Sequence, residues 1–104
     1  MAYDQRRLEL HQIFETILGS SNVYFQPPES TKLNYPCIIY ERSTGDSQYA
    51  DNIAYKFRWC YSVTLISRDP DTDIPDKIAM LPLCRADRMY QADNLNHYAF
   101  TLYY

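Results

Sequence analysis

The chain has 104 residues, 46% of them hydrophobic and 22% charged, with a formal net charge of −3 and a pI near 5.2. That length suits one domain with a modest core that needs no staples, and the composition excludes a disordered chain. The acidic balance argues against tight gripping of nucleic-acid phosphates, and no apolar run approaches the ~20 residues of a membrane helix.

Met1-Ala2-Tyr3-Asp4-Gln5-Arg6-Arg7 is basic, but no apolar segment follows it, so no secretory leader is expected. Residues from about Asp4 to Leu18 form a predicted amphipathic helix, with Asp4 as N-cap. Leu10, Ile13, Phe14, Ile17 and Leu18 make its apolar stripe, and Arg6, Glu9, Gln12 and Glu15 occupy the opposite face. Gly19 with Ser20-Ser21-Asn22 ends it. Val23 to Gln26 is a short strand stopped by Pro27-Pro28, and a loop runs to Asn34. Pro36 opens the next strand, to Arg42, because proline has no N–H for a ladder and favours strand starts and edges. Cys37-Ile38-Ile39-Tyr40 is apolar on both faces, which places that strand centrally.

A turn at Ser43-Thr44-Gly45-Asp46-Ser47, then a longer loop or irregular strand with Tyr49-Ala50-Asp51-Asn52, precedes the longest predicted strand, Ala54 to Arg68. Tyr55, Phe57, Trp59, Tyr61, Val63 and Leu65 alternate onto one face, and a more polar set faces solvent or a neighbour. After the turn Asp69-Pro70-Asp71-Thr72-Asp73 comes a short helix over about Ile74 to Leu81, with Pro75 in its first turn and Pro82 ending it. A strand over Asp87 to Ala92, a turn at Asp93-Asn94-Leu95-Asn96 and a last strand from His97 to Tyr104 complete the chain. Tyr98, Phe100, Leu102 and Tyr104 share a face of that strand. Ala50-Asp51-Asn52-Ile53 and Ala92-Asp93-Asn94-Leu95 echo one another, as two turns of similar Asp-Asn chemistry would. The expected fold is α+β: a mostly antiparallel sheet in one domain over residues 1–104, with an N-terminal amphipathic helix and a short second helix packed on it.

Reactive constellations are absent from the sequence. His11, His97, Cys37, Cys60 and Cys84 contain no CxxC or HxxxH spacing, so no metal is expected. Three cysteines at wide spacing are not a disulfide framework and fit a reducing compartment, as small hydrophobes of the core. Asp69, Asp71, Asp73 and Asp76 evoke a calcium loop, but the sixth and twelfth positions, which need Gly and Glu, are Ile74 and Met80. Only two glycines are present, and neither GxGxxG nor GxxxxGK[ST] occurs, so no phosphate-cradling loop or cofactor is expected. No nucleophile, base and orienting group form a signature, so no enzyme is expected. Eleven tyrosines suit strands and equally suit interfaces.

Structural phrases along nearly the whole chain resemble the phage tail-terminator (tail completion) proteins of long-tailed bacteriophages. They are the helix ending at Leu18-Gly19, Val23-Tyr24-Phe25-Gln26-Pro27-Pro28, Tyr35-Pro36-Cys37-Ile38-Ile39-Tyr40-Glu41-Arg42 and Tyr49-Ala50-Asp51-Asn52. Thr64-Leu65-Ile66-Ser67-Arg68-Asp69-Pro70-Asp71, Leu81-Pro82-Leu83 and Asp93-Asn94-Leu95-Asn96-His97-Tyr98 continue the series.

The resemblance implies a virion protein assembled in the host cytoplasm. Its partners would be its own copies in a homohexameric ring, the major tail tube protein and a head-completion or connector protein, with DNA passing unheld through the lumen. The chain is short for the family, with a brief second helix, so the extra tube-contacting loops of larger members are expected to be missing. Expected interface residues are Pro27, Pro28, Glu29, Lys32, Arg42, Tyr49, Asp51, Asn52, Arg58 and His97. The alternatives are a head–tail connector, head-closure protein or other neck adaptor, and a small metal-binding or enzymatic domain built on Cys37, Cys60, Cys84 and His97.

Overall fold

The computed structural model describes residues 2–43 and 59–104, with only the backbone of residues 2–4. The elements in order are α1 (Ala2–Leu18), β1 (Val23–Phe25), β2 (Cys37–Ser43), β3 (Cys60–Ser67), α2 (Ile74–Ala79), β4 (Cys84–Ala92) and β5 (Leu95–Tyr103). The sheet runs β1-β2-β3-β5-β4; β1 lies parallel to β2 and every other pair is antiparallel. The fold is therefore α+β, with a mostly antiparallel sheet.

The helical stripe seats α1. Leu10, Phe14 and Leu18 are buried against Ile38, Tyr40, Tyr61, Val63, Leu65, Phe100 and Leu102, and Ile78 of α2 joins the same cluster. Both helices thus cover one face of the sheet. The helix ends where Gly19 takes φ +78 and its N–H donates to Glu15 O at 2.9 Å. A left-handed residue at that point closes the last turn, and glycine adopts it without a Cβ penalty.

β2 is central, flanked by β1 and β3, and both Cys37 and Ile38 are fully buried. Pro36 therefore marks the start of a central strand, while Pro27-Pro28 follows the edge strand β1. On β3 the alternation places Tyr61, Val63 and Leu65 in the core. The other face of β3 is less open than its polarity suggests: Cys60 and Ile66 are buried, and Ser62 and Thr64 half-buried. A strand flanked on both sides has each face shaded by its neighbours' side chains. The expected strand stretch 54–58 and the loop stretch 44–52 lie outside the described residues.

Several boundaries differ from the sequence reading: α1 begins at Ala2, so Asp4 lies within the helix rather than capping it, and α2 ends at Ala79. β4 begins at Cys84 rather than Asp87, because Cys84-Arg85-Ala86 already pair with Leu102-Thr101-Phe100, and a bulge between Ala86 and Arg88 accommodates Asp87. The hairpin turn is two residues long: Asp93 and Asn94, at φ 54 and 62, connect Ala92 to Leu95. Two successive left-handed residues match the type I′ turn, whose twist suits the flanking strands. His97 consequently lies inside β5 rather than at its start.

Two substitutions check this architecture by urea denaturation followed by circular dichroism. Phe14→Ala is expected to cost about 3–5 kcal/mol, as for a fully buried aromatic. Asn94→Gly is expected to be neutral or slightly stabilising, whereas Asn94→Val costs about 1–2 kcal/mol because a β-branched residue resists positive φ.

Candidate interaction surface

The described residues offer surfaces rather than a reactive centre. No three His, Cys, Asp or Glu side chains among them lie together as metal ligands. No described helix is long and apolar enough to cross a membrane. Burial pushes the Cys37 and Cys84 thiols up to about 11 from an ordinary 9.0, and burial also raises Cys60. Thiols held neutral in this way are poor nucleophiles and poor metal ligands.

The first surface lies where α1 begins and β2 ends. Arg7 sits over the Phe25 ring with its guanidinium carbon 4.4 Å from the centroid. Arg42 stands 5.7 Å from the same centroid and 4.6 Å from the Trp59 ring. Cation–π placement of this kind holds a guanidinium without an ion pair. Arg6 reaches the last residue, donating from Nε and Nη2 to Tyr104 O at 3.2 and 3.0 Å, and also covers the Tyr104 ring at 4.7 Å. Gln26 fastens the neighbouring loop: its N–H donates to Tyr40 O, and its Oε1 accepts from the Arg42 N–H at 3.2 Å.

At the far edge of the sheet, β4 has one neighbour among the described strands. Met89 is 69% and Tyr90 41% exposed on it. Tyr90 stacks on His97 with centroids 4.8 Å apart and an interplanar angle of 13°, and Arg88 covers Tyr90 at 5.0 Å. Asp87 accepts from Arg85 Nε at 2.8 Å and from the Thr101 hydroxyl. The bulge and these charges are usual guards of an open edge, while exposed Met and Tyr beside them are usual interface residues. A third surface is an apolar groove of about 830 Å³ between the helices, lined by Ile13, Thr16, Ile17, Met80 and Leu81 with Glu9 and Lys77 among its walls.

The interface residues expected from sequence do not form one patch. Arg42 adjoins the loop that begins at Gln26-Pro27, in which Pro27 is half-buried and Pro28, Glu29 and Lys32 are exposed. His97 lies on β5, next to β4, on the face turned away from the helices. Tyr49, Asp51, Asn52 and Arg58 are outside the described residues. Sequence reasoning missed Arg7, and its signal was available. Stepping back from Phe14 and Leu10 along the stripe lands on Arg7 and Arg6, where a long side chain can lay its stem on the core edge.

No protein-family model, no curated protein and no solved structure matches this chain.

The raised thiols set a pH dependence. Below pH 9 the thiols are neutral in both folded and unfolded chains, and the advantage of burying them is complete. Above it the unfolded chain ionises first, so stability falls as pH rises from about 9 towards 11. Urea midpoints measured across that interval should decline, and Cys37→Ala should flatten part of the decline. Alkylation of the folded chain at pH 8 should leave Cys37 and Cys84 unmodified.

Proposed function

We propose that the chain is a structural virion protein that forms a ring at the head-proximal end of a phage tail tube, ends tail polymerisation and joins tail to head. The observation that carries this reading is the run of structural phrases spanning nearly the whole chain, from Leu18-Gly19 to Asn96-His97-Tyr98. The geometry supports it in a general way. A nine-residue edge strand ending the sheet, Met89 and Tyr90 exposed on it, and a separate cationic end give the chain two unlike surfaces. A ring of identical subunits needs two unlike surfaces, because its contacts are heterologous and must close. The partners under this reading are further copies of the chain, the major tail tube protein and a head-completion or connector protein. DNA would pass through the lumen, and a net charge of −3 suits a wall that does not hold it.

Size-exclusion chromatography with light scattering, run on the chain alone and with tail tubes, tests the proposal. The expected result is a species near six times the 12.3 kDa chain mass, alone or on the tubes, with tube growth halted on its addition. A strict monomer that neither binds nor caps tubes contradicts it. Binding to a head-completion protein with no effect on tube length would instead favour the neck-adaptor reading.

A further inference from the structure

We infer that His11 is an acid-sensitive catch between α1 and the sheet: when its ring gains a proton it stops accepting the Tyr40 hydroxyl, and α1 loosens from β2. This device is independent of the ring assembly proposed above.

The parts meet at one oxygen. His11 Nδ1 lies 2.7 Å from the Tyr40 hydroxyl oxygen, and Arg7 Nη1 donates to the same oxygen at 3.4 Å. Residues 7 and 11 are one helical turn apart, so both side chains descend from the same face of α1. Tyr40 is fully buried, and its hydroxyl proton needs an acceptor there. Arg7 has donors only, which leaves the unprotonated Nδ1 of a neutral imidazole to take that proton. Burial raises the Tyr40 pKa and the Arg7 contacts oppose it, so the phenol keeps its proton at neutral and mildly acidic pH.

Protonation reverses the sense of the contact. A proton from solvent takes the Nδ1 lone pair that held the hydroxyl hydrogen, and His11 becomes a second donor beside Arg7. The hydroxyl proton then loses its acceptor, and two cations stand over one shielded oxygen. Both changes cost free energy. His11 is half-buried, so solvent protons reach the ring without unfolding.

Among the described residues, the charged and titratable groups bearing on the Tyr40 hydroxyl are Arg7 and Glu15 from α1 and Tyr61 from β3. Around them, β1 presents Phe25 against Arg7, and Tyr24, whose hydroxyl accepts the Asn34 N–H. β2 adds Arg42, 5.7 Å from the Phe25 centroid, and Glu41, exposed on the alternate face of the strand. Lys77 of α2 stands on the other flank of α1, in the groove with Glu9, Ile13 and Ile17. Glu15 gives the protonated ring somewhere to go. It lies one turn beyond His11, where an imidazolium finds a partner at (i, i+4) spacing, and on the side away from Arg7. Turning to it draws the ring off Tyr40. The apolar stripe of Leu10, Phe14 and Leu18 is untouched by the proton, so α1 loosens without leaving the sheet. The contact is complete while His11 is neutral and is lost as pH falls through the ordinary histidine range. That is the opposite sense to the thiols, whose contribution is lost at high pH.

Amide hydrogen exchange followed by NMR on the full chain, at about pH 7.5 and about pH 5.5, tests the catch. Carboxylates ordinarily stay ionised across that interval and thiols and phenols stay neutral, so His11 and His97 are the side chains that change charge. After correction for intrinsic rates, the wild-type amides from Arg7 to Glu15 are expected to lose about fivefold or more of their protection on acidification, as for one lost hydrogen bond. His11→Asn keeps an acceptor near the Nδ1 position but does not titrate, and Tyr40→Phe removes the hydroxyl. Each should flatten the response, whereas His97→Asn should leave it intact. In the wild type, the ring-nitrogen chemical shifts of His11 at about pH 7.5 should show Nε2 protonated and Nδ1 bare. Protection that is equal at the two pH values, a response that persists in His11→Asn, or an Nδ1–H tautomer at about pH 7.5 overturns the catch. The tautomer is read on the wild-type chain, so a variant that folds poorly does not remove the test.

Discussion

The Tyr40 side chain is the point on which the rest of the structure turns. It is fully buried in the middle of the helix-covered face of the sheet. Phe14 and Tyr61 meet its ring edge-on at 5.1 and 5.8 Å, and Phe25 lies 5.0 Å away. A buried hydroxyl without partners is costly, so something must reach it. That something is α1: His11 Nδ1 lies 2.7 Å from the hydroxyl, and Arg7 Nη1 donates to it at 3.4 Å. Since Arg7 can only donate, the arrangement that uses every group has the hydroxyl accept from Arg7 and give its proton to His11. Desolvation raises the Tyr40 pKa and the Arg7 bond opposes it, so burial keeps the phenol neutral and able to donate.

That clasp has consequences for the surface. Apolar stripes alone tolerate sliding of a helix by a turn, whereas a hydrogen bond to one hydroxyl does not. Holding residues 7 and 11 at Tyr40 brings Arg7 onto Phe25 and, beside it, Arg42. The same placement lets Arg6 tie the chain's last carbonyl to α1. The cationic end of the molecule is thus a by-product of how the core is locked. Among the described residues, Arg7 and Arg42 lie against aromatic rings, and Arg7 also reaches the Tyr40 hydroxyl.

Much of the fold was legible because its signals are periodic. Tyr61, Val63 and Leu65 read as one face of a strand, and Leu10, Phe14 and Leu18 as one stripe of a helix, and both sets form the core. The start of β4 was harder to read. Cys84-Arg85-Ala86-Asp87 has no alternation, since an edge strand with a bulge leaves its side chains exposed and under little patterning constraint. The Asp93-Asn94 turn carried its chemistry in the sequence, but its two-residue length depends on φ values that composition does not fix. The surface was the least legible part. Arg42 was singled out as an interface residue, yet its placement against Trp59 and Phe25 is a tertiary arrangement with no local signature. Arg7 was not singled out and His11 was weighed only as a metal ligand; the position of Tyr40 gives both a target.

The most direct test of the clasp is a double-mutant cycle in urea with Tyr40→Phe, His11→Ala and the pair. Tyr40→Phe keeps the ring and removes only the hydroxyl, so the cycle isolates the bond that fixes α1. A coupling of about 1 kcal/mol, with each single change costing at least that much, is the expected result. Strictly additive effects, agreeing to within about 0.3 kcal/mol, would mean that α1 is held by its apolar stripe alone.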